Sequence, residues 1–393
     1  MAVATDSRAA DLLASVEELL PEIRARVDEI EELRTVPMPL IDELRSRGVF
    51  RLFVPHVYGG FELDPLLYLR LTELIATADA STAWVTMIAM SSGLMSAYLE
   101  PEGAQEIFGD PNTIMCGAGL AGPTGKASPV GDGWVVNGRW AFGSGCRHAT
   151  WHMGGALLFD GEEQQFMADG RPEIRGFIFP ADEVEIVDTW DVVGLVGTGS
   201  DDIAVTEAFV PKHRVLELFG AEPRLDSPLY TTDVFGILPI GVAAVGLGNA
   251  RKAIDALVEL AGSKVPRDGR QTLRDDERIQ IHIARAEGHL RSARSYLYET
   301  LGAAWDDALA GRVTSMDLKA QMRLAASHAA QASAQAVDLM YHAGGTTSIR
   351  RSHPLQRCFR DAHVVTQHAM TNEASFGFAA RALLDIPTNL QRF

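Results

Sequence analysis

Cysteine is scarce: three in 393 residues, Cys116, Cys146 and Cys358. An odd number cannot close into a full disulfide set and suits a reducing interior. No C-x-x-C pair occurs, so the usual spacing of a structural zinc site is missing, and no metal is assigned. Positive charge is short as well. Lys and Arg number 35 against 52 Asp and Glu, a net charge of −17, which repels phosphate backbones and anionic membrane surfaces. Neither nucleic acid nor a membrane is expected as partner. The longest apolar run, FGILPIGVAAVGLG after Asp233, is shorter than the roughly 20 residues that cross a bilayer and carries a proline. The start, MAVATDSRAADLLASVEELLPEIR, has carboxylates where a secretion signal has a basic segment and an apolar run. A cytoplasmic protein is the expectation.

Several catalytic signatures are also missing. There is no GxxxxGK[ST] loop and no GxSxG elbow. Gly117, Gly119 and Gly122 have GxGxxG spacing, but PTGKASP and β-rich segments follow instead of a helix, which disfavours a doubly wound nucleotide fold.

What is present is a three-part pattern in a globular composition, 47% hydrophobic and 22% charged. Leu12, Val16, Leu19, Ile23, Val27 and Ile30 repeat at helical spacing, with Pro21 able to bend or split that helix. A short helix over 39–47 follows, then a turn at Gly59 and Gly60. Residues 65–99 read as one helix, nearly free of charge in its middle and so buried on all sides. Between 113 and 215 Gly and Pro recur, and GWVVNGRWAF, ATWHMGGALLF, IRGFIFP and DDIAVTEAFVP read as strands. Beyond Asp226 helices return, with stripes Ile283, Ala286, Leu290, Ala293, Leu297, Leu301 and Ala325, Ala329, Ala332, Ala336, Met340, interrupted by a polar loop GSKVPRDGRQTLRDD. The expected class is α+β, divided at 1–112 (N-terminal helical domain), 113–224 (central β domain) and 225–393 (C-terminal helical bundle).

Three constellations carry chemistry. His148 and His152, four apart, are read as strand residues on one face, with no third metal ligand nearby. In NGRWAFGSGCRHATW, Trp140 and Trp151 bracket a Gly-Ser-Gly turn that presents the Ser144 hydroxyl on an aromatic wall, a surface suited to a flat heterocycle; a plain turn beside core tryptophans explains the segment alone. In PLQRCFRDAHVVTQHAMTNEASF, a continuous helix would align Asp361, His368 and Asn372 on one face, whereas an ordinary buried histidine is the competing reading. His363 points elsewhere.

These segments, with VPHVYGG and TWDVVGLVGTGSDDIAVTEAFVP, resemble the acyl-CoA dehydrogenase superfamily over roughly residues 10–385. RWAFGSGCRHATW and SHPLQRCFRDAHVVTQH are similar to its branch of two-component flavin-dependent monooxygenases. The resemblance implies an N-terminal helical domain, a central β-barrel-like domain and a C-terminal four-helix bundle. It also implies a homotetramer, and a reduced flavin, FADH2 or FMNH2, delivered by a separate reductase.

By the same resemblance, Ser144 accepts from the flavin N5–H and His368 lies beside C4a, where it stabilises or protonates a hydroperoxide at a pKa within reach of neutrality. Cys116, Gly117 and the loop to Lys126 run along the ring with Trp140 packed nearby, and Thr198 to Ser200 lie near flavin or substrate. The implied reaction is hydroxylation of an aromatic or polycyclic small molecule.

Departures from the pattern separate rival activities. A dehydrogenase base expected eight positions after Arg360-Asp361 falls on Ala369, leaving Glu259 as an alternative base for an FAD-dependent acyl-CoA dehydrogenase. The adenosine-gripping RxFG motif is unrecognisable, which fits a flavin that comes and goes. A histidine that some monooxygenases carry on the N-terminal helix is replaced by AMSSGLM. A catalytically inactive flavin- or ligand-binding family member is the third reading.

Overall fold

Apolar spacing at the N-terminus produces helices whose buried stripes face inward. The computed structural model describes residues 7–119, 122–217, 221–232, 234–266 and 269–386. Helix α1 (Ser7–Ala25) buries Leu12, Val16, Leu19 and Ile23 and ends four residues after Pro21; α2 (Val27–Leu33) and α3 (Met38–Ser46) follow. The segment expected as one helix over 65–99 is instead split into α4 (Pro65–Ala76), α5 (Ala80–Ser92) and a 3-10 turn, Gly93–Ala97. Asp79 makes the break. Its backbone is extended, and its carboxylate accepts from the Thr82 amide at 2.7 Å and the Thr82 hydroxyl at 2.8 Å, capping a new helix. At the far end Gly93 lets the chain pass against the Phe53–Val54 backbone, where a Cβ would stand 2.9 Å from main-chain atoms. Helix α6 (Pro101–Phe108) completes the block.

The Gly/Pro-punctuated stretch forms β1 (Met115–Ala118), β2 (Gly125–Val130), β3 (Gly133–Trp140), β4 (Trp151–Asp160), β5 (Glu163–Gln164), β6 (Ile174–Pro180), β7 (Glu185–Val187), β8 (Asp202–Pro211) and β9 (Val215–Leu216). The sheet order is β7-β8-β3-β2-β4-β6-β9, with β1 and β5 both pairing β4; β1 and β2 run parallel to it. Trp140 fills the middle. Its indole N–H donates to the Gly155 carbonyl at 2.7 Å, and at Gly125, Gly138 and Gly154 a Cβ would collide with its ring. The glycines of these strands are there because the tryptophan takes their side-chain space.

After α7 (Pro228–Thr231), the chain ends in α8 (Val234–Ser263), α9 (Glu277–Leu309), α10 (Met316–Gly344), α11 (Pro354–Val365) and α12 (Glu373–Leu383). Both expected stripes face the bundle core, Ile283 only partly buried. The alanines of α10 permit close helix approach. Gly236–Ser263 of α8 is long and apolar enough to cross a membrane by length and composition, but its most apolar stretch is packed inside protein. Of the polar loop expected here, residues 267 and 268 lie outside the described set. The observed architecture is α+β: helical domain, central sheet domain, helical bundle.

Candidate active site

A cavity of about 650 Å³ lies where α5, β1, the turn after β3, the 195–200 loop, α8 and the turn after α11 converge. That size suits a small-molecule site. Its wall includes five methionines, Met87, Met95, Met115, Met153 and Met370, with Trp84, Ile88, Leu238 and Val242. Among the described lining residues there is no Asp, Glu, Lys or Arg. Cys116, Gly117, Trp140, Ser144, Thr198, Ser200 and His368, distant in sequence, all line this one cavity.

Ser144 is held by its turn. Gly145, at φ +75°, donates its amide to the Thr198 carbonyl at 3.0 Å; Gly143 donates to the Asp201 carbonyl at 3.0 Å; the Cys146 thiol donates to the Gly199 carbonyl at 3.3 Å. The Gly-Ser-Gly turn and the 198–200 turn are thereby fastened together. Their side chains form a buried row. The Trp84 indole N–H donates to Ser144 Oγ at 3.0 Å, Ser144 Oγ lies 2.7 Å from Ser200 Oγ, and Ser200 Oγ lies 2.7 Å from Thr198 Oγ1, whose hydroxyl donates to the Leu195 carbonyl at 2.8 Å.

The helix expected to carry Asp361, His368 and Asn372 on one face stops at Val365, and His368 sits in the turn beyond it. The Thr366 hydroxyl bonds the His363 carbonyl at 2.8 Å and the Thr371 hydroxyl bonds the Val365 carbonyl at 3.2 Å, local bonds that compete with further helix. Asp361 instead accepts the Leu195 amide at 2.7 Å, pinning the loop that carries Thr198 and Ser200. Burial pushes its carboxyl up to about 6, against the Leu195 bond, which lowers it.

His368 is packed edge-on against Trp84, ring centroids 5.4 Å apart, so one tryptophan touches both Ser144 and His368. Burial, with Arg323 adding, pushes its pKa down to about 4, contrary to the expectation of a value near neutrality. His368 is a neutral imidazole at pH 7. Its Nδ1 accepts from the Met370 amide at 3.3 Å, which assigns the proton to Nε2.

His148 and His152 are not two strand residues on one face. His148 lies in a turn, its Nε2 2.7 Å from the Val36 carbonyl; His152 on β4 has Nδ1 3.2 Å from the Cys116 sulfur. Burial lowers the pKa of His152 to about 4 and raises the Cys116 thiol, so the pair is uncharged. Cys116 and Gly117 bring β1 to the wall, and at Gly117 a Cβ would crowd Met153. Ser91 and Ser92, on the stretch where a second histidine is absent, line the cavity with hydroxyls committed to the Ile88 and Ala89 carbonyls at 2.9 and 2.7 Å.

Glu259 does not reach the cavity. It is exposed on α8, seventeen residues beyond cavity-lining Val242, about 25 Å along the helix axis. The cavity residues that the sequence left unassigned include the methionines, Trp84, hidden in an uncharged and largely buried helix, and Asp361's loop partner Leu195. Trp84 had one available signal, an indole N–H in a segment with no charged partner.

Residues 9–107 match the family described as acyl-CoA dehydrogenase, N-terminal domain, and residues 240–373 match acyl-CoA dehydrogenase, C-terminal domain. The chain is 34% identical to the indole-3-acetate monooxygenase of Pseudomonas putida over 90% of this chain and 88% of that one. It is 32% identical to the flavin-dependent monooxygenase, oxygenase subunit HsaA, of Rhodococcus jostii over 89% of this chain and 92% of that one. Among solved structures, XiaF from Streptomyces sp. in complex with FADH2 and glycerol superposes with a TM-score of 0.87 at 25% identity, covering 97% and 98% of the two chains.

Proposed function

The chain belongs to the acyl-CoA dehydrogenase family, in its flavin-dependent monooxygenase branch, and from that premise we propose that it is the oxygenase component of a two-component system that hydroxylates an aromatic or polycyclic small molecule. It is an oxidoreductase whose cofactor is reduced flavin. The observation that carries the reading is the pairing of an uncharged imidazole, His368, with the Ser144 hydroxyl on one cavity that has no carboxylate among its described lining residues.

The residues present fit a flavin. Gly117 gives close backbone approach at the wall, Ser144 presents its hydroxyl there, the walls are apolar, and the cavity has room for a flat ring system with a small guest beside it. Reduced flavin, when bound, supplies the electrons that activate O2, one atom passing to the substrate and the other to water. Ser144 would meet the N5 edge, with Thr198 and Ser200 behind it and the Cys116–Gly117 backbone along the ring. His368 holds its proton at Nε2 and donates it as a hydrogen bond toward charge developing on oxygen, a neutral donor in a dry site. Trp84 and the methionines exclude water, which limits loss of oxidising equivalents as H2O2. A separate flavin reductase and a homotetramer complete the proposed system, which would work in the reducing cytoplasm that suits three buried free cysteines.

A dehydrogenase needs a carboxylate at the reacting carbon; Ala369 lines the cavity where that base would be, and Glu259 is remote. The test is to load the protein anaerobically with reduced flavin, add 18O2 and a panel of phenols and indoles, and assay labelled product. Incorporation of 18O supports the oxygenase. Flavin bleaching by an acyl-CoA added to the oxidised protein would replace that reading with the dehydrogenase.

A further inference from the structure

We propose that Trp84, Ser200 and Thr198 are positioning residues that turn the Ser144 proton away from the cavity, so that the site selects flavin in its reduced, N5-protonated form. The proposal rests on the flavin reading above.

Protons can be counted along the buried row. An indole N–H only donates and a carbonyl only accepts, whereas each hydroxyl has one proton to give. Between the Trp84 indole and the Leu195 carbonyl stand three hydroxyls, Ser144, Ser200 and Thr198. One arrangement satisfies all four links: Trp84 gives to Ser144, Ser144 to Ser200, Ser200 to Thr198, and Thr198 to Leu195. All five residues are buried, so bulk water does not replace a missing link. The reversed arrangement loses the Thr198–Leu195 bond and sets two oxygen lone pairs against each other across 2.8 Å. The anchors are themselves fixed. Leu195 is tied through its amide to Asp361 at 2.7 Å and its carbonyl also accepts from the Trp190 indole at 3.1 Å, while Trp84 is braced by His368.

Ser144 therefore commits one lone pair to Trp84 and its proton to Ser200, and what remains for the cavity is an acceptor. Reduced flavin offers N–H at N5 and is complementary to it. Oxidised flavin has a lone pair at N5 and meets another lone pair, unless the row reverses at the loss of one hydrogen bond. Discrimination of about tenfold follows from that one bond.

The experiment is equilibrium binding of oxidised and of anaerobically reduced FMN and FAD, read as the ratio of the two Kd values for each flavin. Ser200→Ala releases the Ser144 proton to point into the cavity, and the ratio is expected to fall about tenfold, mainly through tighter oxidised-flavin binding. Thr198→Val, which keeps the side-chain shape, removes the carbonyl-anchored link and is expected to act in the same direction; it carries the test if Ser200→Ala fails to fold. Ser200→Thr restores a hydroxyl and the wild-type ratio. A wild-type protein that prefers reduced flavin with a ratio unmoved by both variants overturns this proposal alone. A wild-type protein that binds neither redox form overturns the functional reading and the proposal together.

Discussion

An imidazole buried without a counter-charge releases its proton well below its usual pKa, and His152 and His368 both sit in that condition. Unfolding exposes them, and below pH 6.5 the unfolded chain takes up protons that the folded one refuses until about pH 4. Stability therefore declines as pH drops across that window, by a few kcal/mol at most for each histidine, since every tenfold change in proton affinity is worth about 1.4 kcal/mol. Asp361, raised to about 6, acts with the opposite sign: its folded form takes up a proton first, so part of the loss below pH 6 is offset. The expected outcome is a urea midpoint that drops between pH 7 and pH 5, and drops less in His152→Phe. If the two proteins lose stability in parallel, the buried neutral histidine is not the cause. At His368 the neutral donor implies that the ratio of hydroxylated product to H2O2 stays level from pH 7 to pH 5, while His368→Ala lowers that ratio by about a hundredfold. Ser144 and His368 were legible because short motifs surround them. The protonation of His368 was not, since burial is set by residues far along the chain, and Trp84 was invisible because α5 is uncharged and buried on nearly every side, so that no face of it stands out.

At the scale of elements, α11 is the brace of the site. Arg357 bonds Asp28 and Glu31 of α2, each at 2.7 Å, while Arg360 reaches Glu31 and the Val193 carbonyl, the latter at 2.6 Å. Burial alone would raise Glu31, but the two guanidiniums hold it below the usual carboxylate range. That contribution is present above the unfolded pKa and is lost as pH falls through the lower folded value. Arg357→Gln is expected to cost roughly 1–3 kcal/mol because it leaves part-buried Glu31 short of a partner. A thermal melt at pH 7 checks it, and a Tm within 1 °C of wild type, far less than about 2–4 °C per kcal/mol implies, would contradict it. Helix existence was readable from apolar period in α1, α2, α9 and α10, whereas α6 was not read at all. Helix ends were not: the break at Asp79 depends on a carboxylate choosing Thr82, and the stop at Val365 on two threonines bonding backward, choices that period does not register.

Over the whole molecule, the order of helical, β and helical parts was visible in the alternation of periodic and Gly/Pro-punctuated stretches, because each layer obeys its own repeat. What stayed hidden was where the layers meet, since β4 pairs in parallel with both β1 and β2 and the cavity draws on every part. The charge of −17 also belongs to this scale. It repels the phosphate of an incoming flavin, so the association rate measured by stopped flow is expected to rise with ionic strength as screening shortens the field. A rate that falls with salt would point to local cationic steering at the cavity mouth.

The methionine wall of the cavity has a chemical afterlife. Thioethers bend to admit guests of different outline, and they are also oxidisable groups on the wall that escaping peroxide meets. Peroxide released in misfired cycles would place sulfoxide on Met87, Met95, Met115, Met153 or Met370 over many turnovers, stiffening and wetting the chamber. Peptide mass spectrometry of aged enzyme would read that tarnish as a record of wasted oxygen, and the catalyst would wear out from the inside at a pace set by its own leakiness.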